Sequence, residues 1–285
     1  MGSINSRLVL GDTGIDLWYV PTPEIEYNSL FERWGHWLDP SELERLQNHK
    51  ISKGQSVFFL TRVALRYLLS CYFPDIEPAA WQFSRTHEGR PFVSGPQHDA
   101  PLFNLSHAEN MLVFAFSNAG QPGVDIEKSS RQLPVVELAQ RYFSVQETET
   151  LHGLTGRAQN DYFLMLWTLK EASVKASGKG LAKGIRNYSF ELGSTIPGSS
   201  TSTAFISGAS HKKAGSELLF HRAGDAVADS SRWRLWSARH HEYQLALALR
   251  TPVAQDAKKC VVTPRQLSWP NQHKLLSWHA DLIYE

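Results

Sequence analysis

Two hydrophobic periods divide the chain. Alternation with a period of two marks Ile15, Leu17, Trp18 and Val20 as an opening strand, closed by Pro21 and Pro23. Asp39-Pro40-Ser41-Glu42-Leu43-Glu44-Arg45-Leu46 then supplies a capping residue, an early proline and first-turn acids, the signature of a helix start, before Lys50, Lys53 and Gly54 interrupt. A long helix is predicted from Ser56 to Tyr72, with Phe59, Val63 and Tyr67 on one face and Arg62 and Arg66 one turn apart, ended by Pro74 and Pro78.

Shorter periods follow. Trp81–Ser84 alternates, Glu88-Gly89-Arg90-Pro91 is a turn, and Leu102–His107 leads into the buried strand Met111–Phe116. A turn over Asn118–Pro122 delivers the strand Gly123-Val124-Asp125-Ile126-Glu127. Residues 134–152 predict a helix, and the apolar run from Tyr162 to Leu166 begins another that lacks Pro and Gly until Gly178. Residues 192–216 are rich in Ser, Thr and Gly and predict a mobile surface connection. Trp233–Trp236 and Tyr243–Leu249 are strand-like, and the tail carries Pro264, Trp269, Pro270 and Trp278. Each half offers a long helix followed by strands. The expected class is α+β, in two similar lobes over 1–122 and 123–250, with 251–285 as a tail packing on the body.

Composition narrows the partners. Over 285 residues, 42% are hydrophobic and 20% charged, as in a soluble globular protein, and the net charge is +1. That balance provides no general field for nucleic acid or membrane. The sequence has no apolar run long enough to span a bilayer and no signal-peptide pattern, so a cytoplasmic location is expected. Cys71 and Cys260 are far apart, which excludes a C-x-x-C metal or redox motif.

The candidate chemistry is acidic. Asp125 and Glu127 are two apart on a strand and leave the same face, while Val124 and Ile126 point into the core. Side by side they repel, and oxygen-only ligands favour a hard ion, Mg²⁺ before Mn²⁺. Alone, the pair also suits an exposed edge strand. On the later helix Trp167, Glu171 and Lys175 fall at i, i+4 and i+8, which adds a third carboxylate and an ammonium. Phe143-Ser144-Val145-Gln146-Glu147 reads locally as a capping box, Gly89-Arg90-Pro91 as a turn and Asn104-Leu105-Ser106-His107 as a turn with capping side chains. A Walker phosphate loop is absent, because Gly178-Lys179 lacks the preceding Gly and the following Ser or Thr.

In this order the segments resemble the Sfp-type 4′-phosphopantetheinyl transferases. The matching positions are Gly89-Arg90-Pro91, Asn104-x-Ser106-His107, Gly123-Val124-Asp125-Ile126-Glu127, Phe143-Ser144-x-x-Glu147 and Trp167-x-x-Lys170-Glu171-x-x-x-Lys175, closing on Gly178-Lys179-Gly180-Leu181. The resemblance spans roughly Asp39 to Leu249. It implies a monomer of two α+β lobes related by a pseudo-twofold axis, each a small, mostly antiparallel sheet packed with a long helix. Coenzyme A and Mg²⁺ would be held between the lobes. The implied reaction moves the phosphopantetheine arm onto a serine of an apo acyl or peptidyl carrier protein and releases adenosine 3′,5′-bisphosphate.

By the same resemblance, Asp125, Glu127 and Glu171 would hold the metal, and Lys175 and His107 would reach the pyrophosphate. Glu171 would be the base, directly or through a metal-bound water, with Glu147 the other candidate. Arg90 and Ser106 would touch coenzyme A phosphates or ribose, and Arg45 and Lys50 its 3′-phosphate, while Trp167 would pack. The chain departs from the family in carrying Gly-Arg-Pro for the common Gly-Lys-Pro, and Glu42 where relatives often carry a basic residue, which makes Lys53 and Arg62 further phosphate candidates. Competing functions are another Mg²⁺-dependent pyrophosphate enzyme and a catalytically silent module that binds carrier protein or coenzyme A. Leu133, Val135 and Val136 are the candidate carrier contact.

Overall fold

The computed structural model describes residues 7–22, 27–47, 52–95, 97, 99–178, 185–194, 205–206, 216–222, 232–252, 260–267 and 280–282. Lys50, Lys179-Gly180-Leu181, most of 192–216, and Trp269, Pro270 and Trp278 lie outside them. In chain order the elements are β1 (Gly14–Pro21), α1 (Tyr27–Trp34), α2 (Pro40–Gln47), α3 (Ser52–Tyr72), β2 (Gln82–Arg85), β3 (Pro91–Gly95), β4 (Leu102–Ala108), β5 (Met111–Ser117) and β6 (Gln121–Lys128). They continue with α4 (Val135–Tyr142), α5 (Val145–His152), α6 (Gly156–Ser177), β7 (Tyr188–Ser194), β8 (Phe205–Ile206), β9 (Ser216–Arg222), β10 (Arg232–His240), β11 (Tyr243–Thr251), β12 (Val261–Leu267) and β13 (Ala280–Leu282). The class is α+β. Among the described residues no helix is long and apolar enough to cross a membrane.

Two compact units emerge: one holds Met1–Pro101, Asn110–Asn118 and Cys260–Glu285, the other Leu102–Glu109 and Ala119–Lys259. In the first, β1 lies between β5, antiparallel, and β12, parallel, with Trp18 opposite Phe114 on one side and Arg265 on the other. Phe59, Leu60, Val63, Ala64, Leu65, Leu68 and Leu69 of α3 are all buried, more than one amphipathic stripe would supply. Asp16 ties the strands together through a polar core: its Oδ2 accepts from Tyr72 Oη at 2.6 Å and stands 3.1 Å from Arg265 Nε. A buried polar group of this kind persists because its partners compensate its lost hydration. Strand β12 carries Pro264 in its middle, opposite Leu17, which is why sequence pattern gave it no element.

In the second unit the sheet order is β6-β11-β10-β8, and β7 pairs with β9. Helix α6 buries Leu166, Leu169, Ala172, Val174 and Ala176 against a core that includes Tyr188, Phe190, Trp233, Leu235, Ala246 and Ala248. One residue decides how closely it can lie. A Cβ at Gly123 would stand 2.0 Å from the Ala172 carbonyl oxygen and 2.4 Å from Ala176 N, so only glycine lets β6 approach the helix backbone. Gly178, at φ 73°, ends α6 in the left-handed conformation, as the sequence predicts. The helix starts at Gly156, earlier than its apolar run, and residues 134–152 form two helices parted by Phe143 and Ser144.

Candidate active site

Strand β6 is paired with β11 on one edge, Asp125 opposite Ala246 and Glu127 opposite Gln244. Its neighbour β4 is fastened to it by a side chain: Val124 N donates to Asn104 Oδ1 at 2.9 Å. Two residues on, Ser106 Oγ donates to Asp125 Oδ1 at 2.8 Å. The Asn-x-Ser spacing is therefore the period of a strand whose one face clasps β6. From α6, Lys175 Nζ reaches across to Asp125 Oδ1 at 2.7 Å, Val124 O at 3.0 Å and Ser106 Oγ at 3.1 Å. Asp125 is 6% exposed, and its second oxygen, Oδ2, is buried without a hydrogen-bond partner.

Glu171, one turn before Lys175, is buried, and its carboxyl is pushed up to about 7, first by burial and then by the charge of Asp125, with Glu127 adding and Lys175 opposing. Glu127 is also raised, by burial and by Asp125, although Arg131 Nη1 at 2.7 and 2.6 Å from its two oxygens counteracts this. His107 is exposed; partial desolvation and then Lys175 lower its imidazole, against Asp125. Three carboxylates thus share one electrostatic neighbourhood.

Among the described residues, no three His, Cys, Asp or Glu side chains stand ready as a cage for an ion. The reason is visible in their partners: Glu127 is turned onto Arg131, and Asp125 Oδ1 is taken by Lys175. The donor set nonetheless fits a hard divalent cation. It is all oxygen, one buried oxygen lacks any partner, and the charge that raises Glu171 is what a cation would neutralise.

The structure separates Glu147 from this group. Its Oε2 accepts from Ser144 N at 2.7 Å in a complete capping box and lies 2.8 Å from Lys170 Nζ; its Oε1 accepts from Phe190 N at 2.8 Å. Lys170 also donates to Tyr188 O, and its ammonium lies 5.1 Å from the Phe143 ring centroid. Both side chains are fully buried and fully engaged. Trp167 stacks on Phe163 at 5.7 Å and meets Tyr142 edge-on, so it packs.

Arg45 and Arg90 belong to the other unit. Arg90 follows Gly89, whose φ of 86° makes the turn, and Arg45 lines an open cleft with Arg62 and Arg85. Sequence reasoning missed Arg131 and Arg85. Arg131 was findable four residues after Glu127, whereas nothing local marks Arg85. Of the candidate carrier contact, Leu133 and Val135 pack on the Ala139, Leu151, Phe163 and Leu164 core, while the neighbouring Val145 is 74% exposed.

Residues 121–248 match the family model of the 4′-phosphopantetheinyl transferase superfamily. The chain is 31% identical over 169 residues to a putative 4′-phosphopantetheinyl transferase of Synechocystis, covering 59% of this chain and 67% of that protein. It is 30% identical over 178 residues to the 4′-phosphopantetheinyl transferase HetI of Nostoc, covering 62% and 74%. With the 4′-phosphopantetheinyl transferase Sfp of Bacillus subtilis it shares 30% identity over 163 residues, covering 56% and 69%.

Proposed function

The chain belongs to the 4′-phosphopantetheinyl transferase superfamily, and from that premise we propose that it transfers the arm of coenzyme A to a serine of an apo acyl or peptidyl carrier protein, using Asp125, Glu127, Glu171 and Lys175. In the transfer the serine oxygen bonds to the pantetheine-bearing phosphorus. The bond from that phosphorus to the bridging oxygen breaks, and adenosine 3′,5′-bisphosphate leaves with the electron pair. The serine proton goes to Glu171.

Asp125, Glu127 and Glu171 are the residues that would hold Mg²⁺, which would supply Lewis-acid neutralisation of pyrophosphate charge. Lys175, already hydrogen-bonded to Asp125, contributes a fixed positive charge, and Ser106 and Asn104 hold Asp125 and β6 in position. His107 provides a polar rim that favours the neutral imidazole. Glu147, committed to Lys170 and the Ser144 cap, is proposed as a supporting residue. Arg45 and Arg90 are proposed to bind the coenzyme A phosphates, and Val136 and Val145 to take part in carrier contact.

One observation carries this reading: a buried aspartate oxygen without a partner, in the same neighbourhood as Glu171, whose carboxyl is raised first by its burial and then by the charge of Asp125. Intact mass of an apo carrier after incubation with the protein, coenzyme A and Mg²⁺ tests it. A gain of about 340 Da, the mass of the transferred arm, that disappears with EDTA is the expected result. Binding of coenzyme A with no gain on any carrier would leave a silent binding module in its place.

A further inference from the structure

The first unit contains an ion cluster whose acidic centre has no part in the reading above. Its centre is Glu42, on the first turn of α2, 8% exposed. Its side chain first completes a local cap: Asp39 N donates to Oε2 at 3.2 Å, while Glu42 N donates to Asp39 Oδ1 at 2.9 Å. It then meets two arginines one turn apart on α3. Arg66 Nη1 donates to Oε1 at 3.2 Å, and Nη2 stands 2.8 Å from Oε2. Arg66 also donates from Nε to Trp37 O at 2.8 Å and lies 4.8 Å from the Phe83 ring, fully buried. Arg66 is a structural arginine.

Arg62 differs. Its Nε lies 3.4 Å from Glu42 Oε1, close enough for ion pairing but without hydrogen-bond geometry, and that buried atom has no hydrogen-bond partner. Its guanidinium and that of Arg45 lie 5.3 and 5.2 Å from the Phe58 ring. With Arg85 they line an open cleft, and Glu42 is part of the same lining. The arginines crowd one another: Arg62 is pushed down to about 10, first by burial and then by Arg85, Arg66 and Arg45, while Glu42 opposes. Even so it stays charged at neutral pH.

Three guanidiniums converging on a cleft match a dianion with several acceptor oxygens, which is a phosphate monoester. One buried carboxylate beside Arg62 and Arg66 offsets part of the cationic repulsion and anchors the guanidinium of Arg62 by its charge. We propose that Glu42 is a positioning residue, whose buried carboxylate sets Arg62 to bind the phosphate monoester on the ribose of coenzyme A. This inference rests on the coenzyme A reading above. An acid in a cationic cleft thereby improves anion binding, by orienting an arginine rather than by charge.

The test compares kcat/KM for coenzyme A and for 3′-dephospho-coenzyme A, at fixed apo carrier, in the parent enzyme and in Glu42→Gln, Glu42→Asp and Arg62→Gln. The parent is expected to prefer coenzyme A. Arg62→Gln and Glu42→Gln are each expected to lower that preference about tenfold, through the KM for coenzyme A, as for a lost charge-assisted hydrogen bond. Glu42→Asp should recover part of it. If Glu42→Gln does not fold, the graded loss in Glu42→Asp carries the test. An unchanged preference in the folded Glu42 variants, with both substrates slowed equally, overturns the inference and leaves Glu42 a fold residue. A parent that uses coenzyme A without preference also overturns it, and the coenzyme A reading survives. A parent that uses neither substrate means that the coenzyme A reading itself has failed.

Discussion

Helix α6 carries two lysines five residues apart, each paired with a carboxylate from another element, and the two pairs contrast. Lys170 and Glu147 are sealed in the core. Every oxygen of Glu147 has a donor, and Lys170 has a carboxylate, a carbonyl and an aromatic ring. Lys175 and Asp125 are hydrogen-bonded too, but Asp125 keeps an unpartnered buried oxygen, and Glu171 is raised by burial and by the charge of Asp125. A saturated ion pair rigidifies, whereas an unsaturated cluster holds electrostatic free energy that a substrate or cation can release. The same residue types do different work because one set has finished its hydrogen bonding and the other has not.

The sharpest way to break that contrast is Glu171→Gln. Loss of the proposed proton acceptor and of one proposed cation ligand is expected to slow transfer about a thousandfold, measured as single-turnover arm transfer. Its stability should move the other way. A carboxyl raised from 4.5 to about 7 in the fold contributes stability at low pH and loses it as pH rises through about 7. In EDTA the variant should therefore melt above the parent at pH 8, with the gap closing toward pH 5.

Lys170→Met probes the other pair. It strands Glu147 as a buried charge, so unfolding in urea should show a loss of about 3 kcal/mol. Its rate per folded molecule should stay within a few-fold of the parent. Gly123→Ala tests the contact beneath the carboxylate cluster. With 2.0 Å to the Ala172 oxygen, β6 and α6 must separate, and a loss of about 2 kcal/mol in urea is expected together with a raised requirement for Mg²⁺. Arg131→Ala should have the smallest effect. Arg131 is half exposed and, paired with Glu127, would compete with the proposed cation, so its removal should lower the Mg²⁺ concentration for half-maximal rate about threefold.

Much of the carboxylate cluster was legible because its parts obey local periods. Asp125 and Glu127 share a strand face, Glu171 and Lys175 a helix face, and Ser144 and Glu147 a cap. What the sequence withheld was non-local. The role of Gly123 depends on a backbone roughly fifty residues away, and Glu42 meets Arg66 across 24 residues. That Glu147 is spent on Lys170 and Phe190 likewise needed the fold, because a capping glutamate and a catalytic one look alike in sequence. Boundaries failed where polarity hid the helix: Arg157, Gln159 and Asn160 give the start of α6 no apolar stripe. Pro264 hid a strand in the same way.

The most direct measurement is the single-turnover rate of arm transfer by Glu147→Gln beside Glu171→Gln, each corrected for the fraction folded. The contrast between the two pairs predicts that Glu147→Gln transfers at close to the parent rate once folded, while Glu171→Gln remains folded and nearly inactive. A folded Glu147→Gln as inactive as Glu171→Gln would contradict it and move the proton acceptor to the sealed pair.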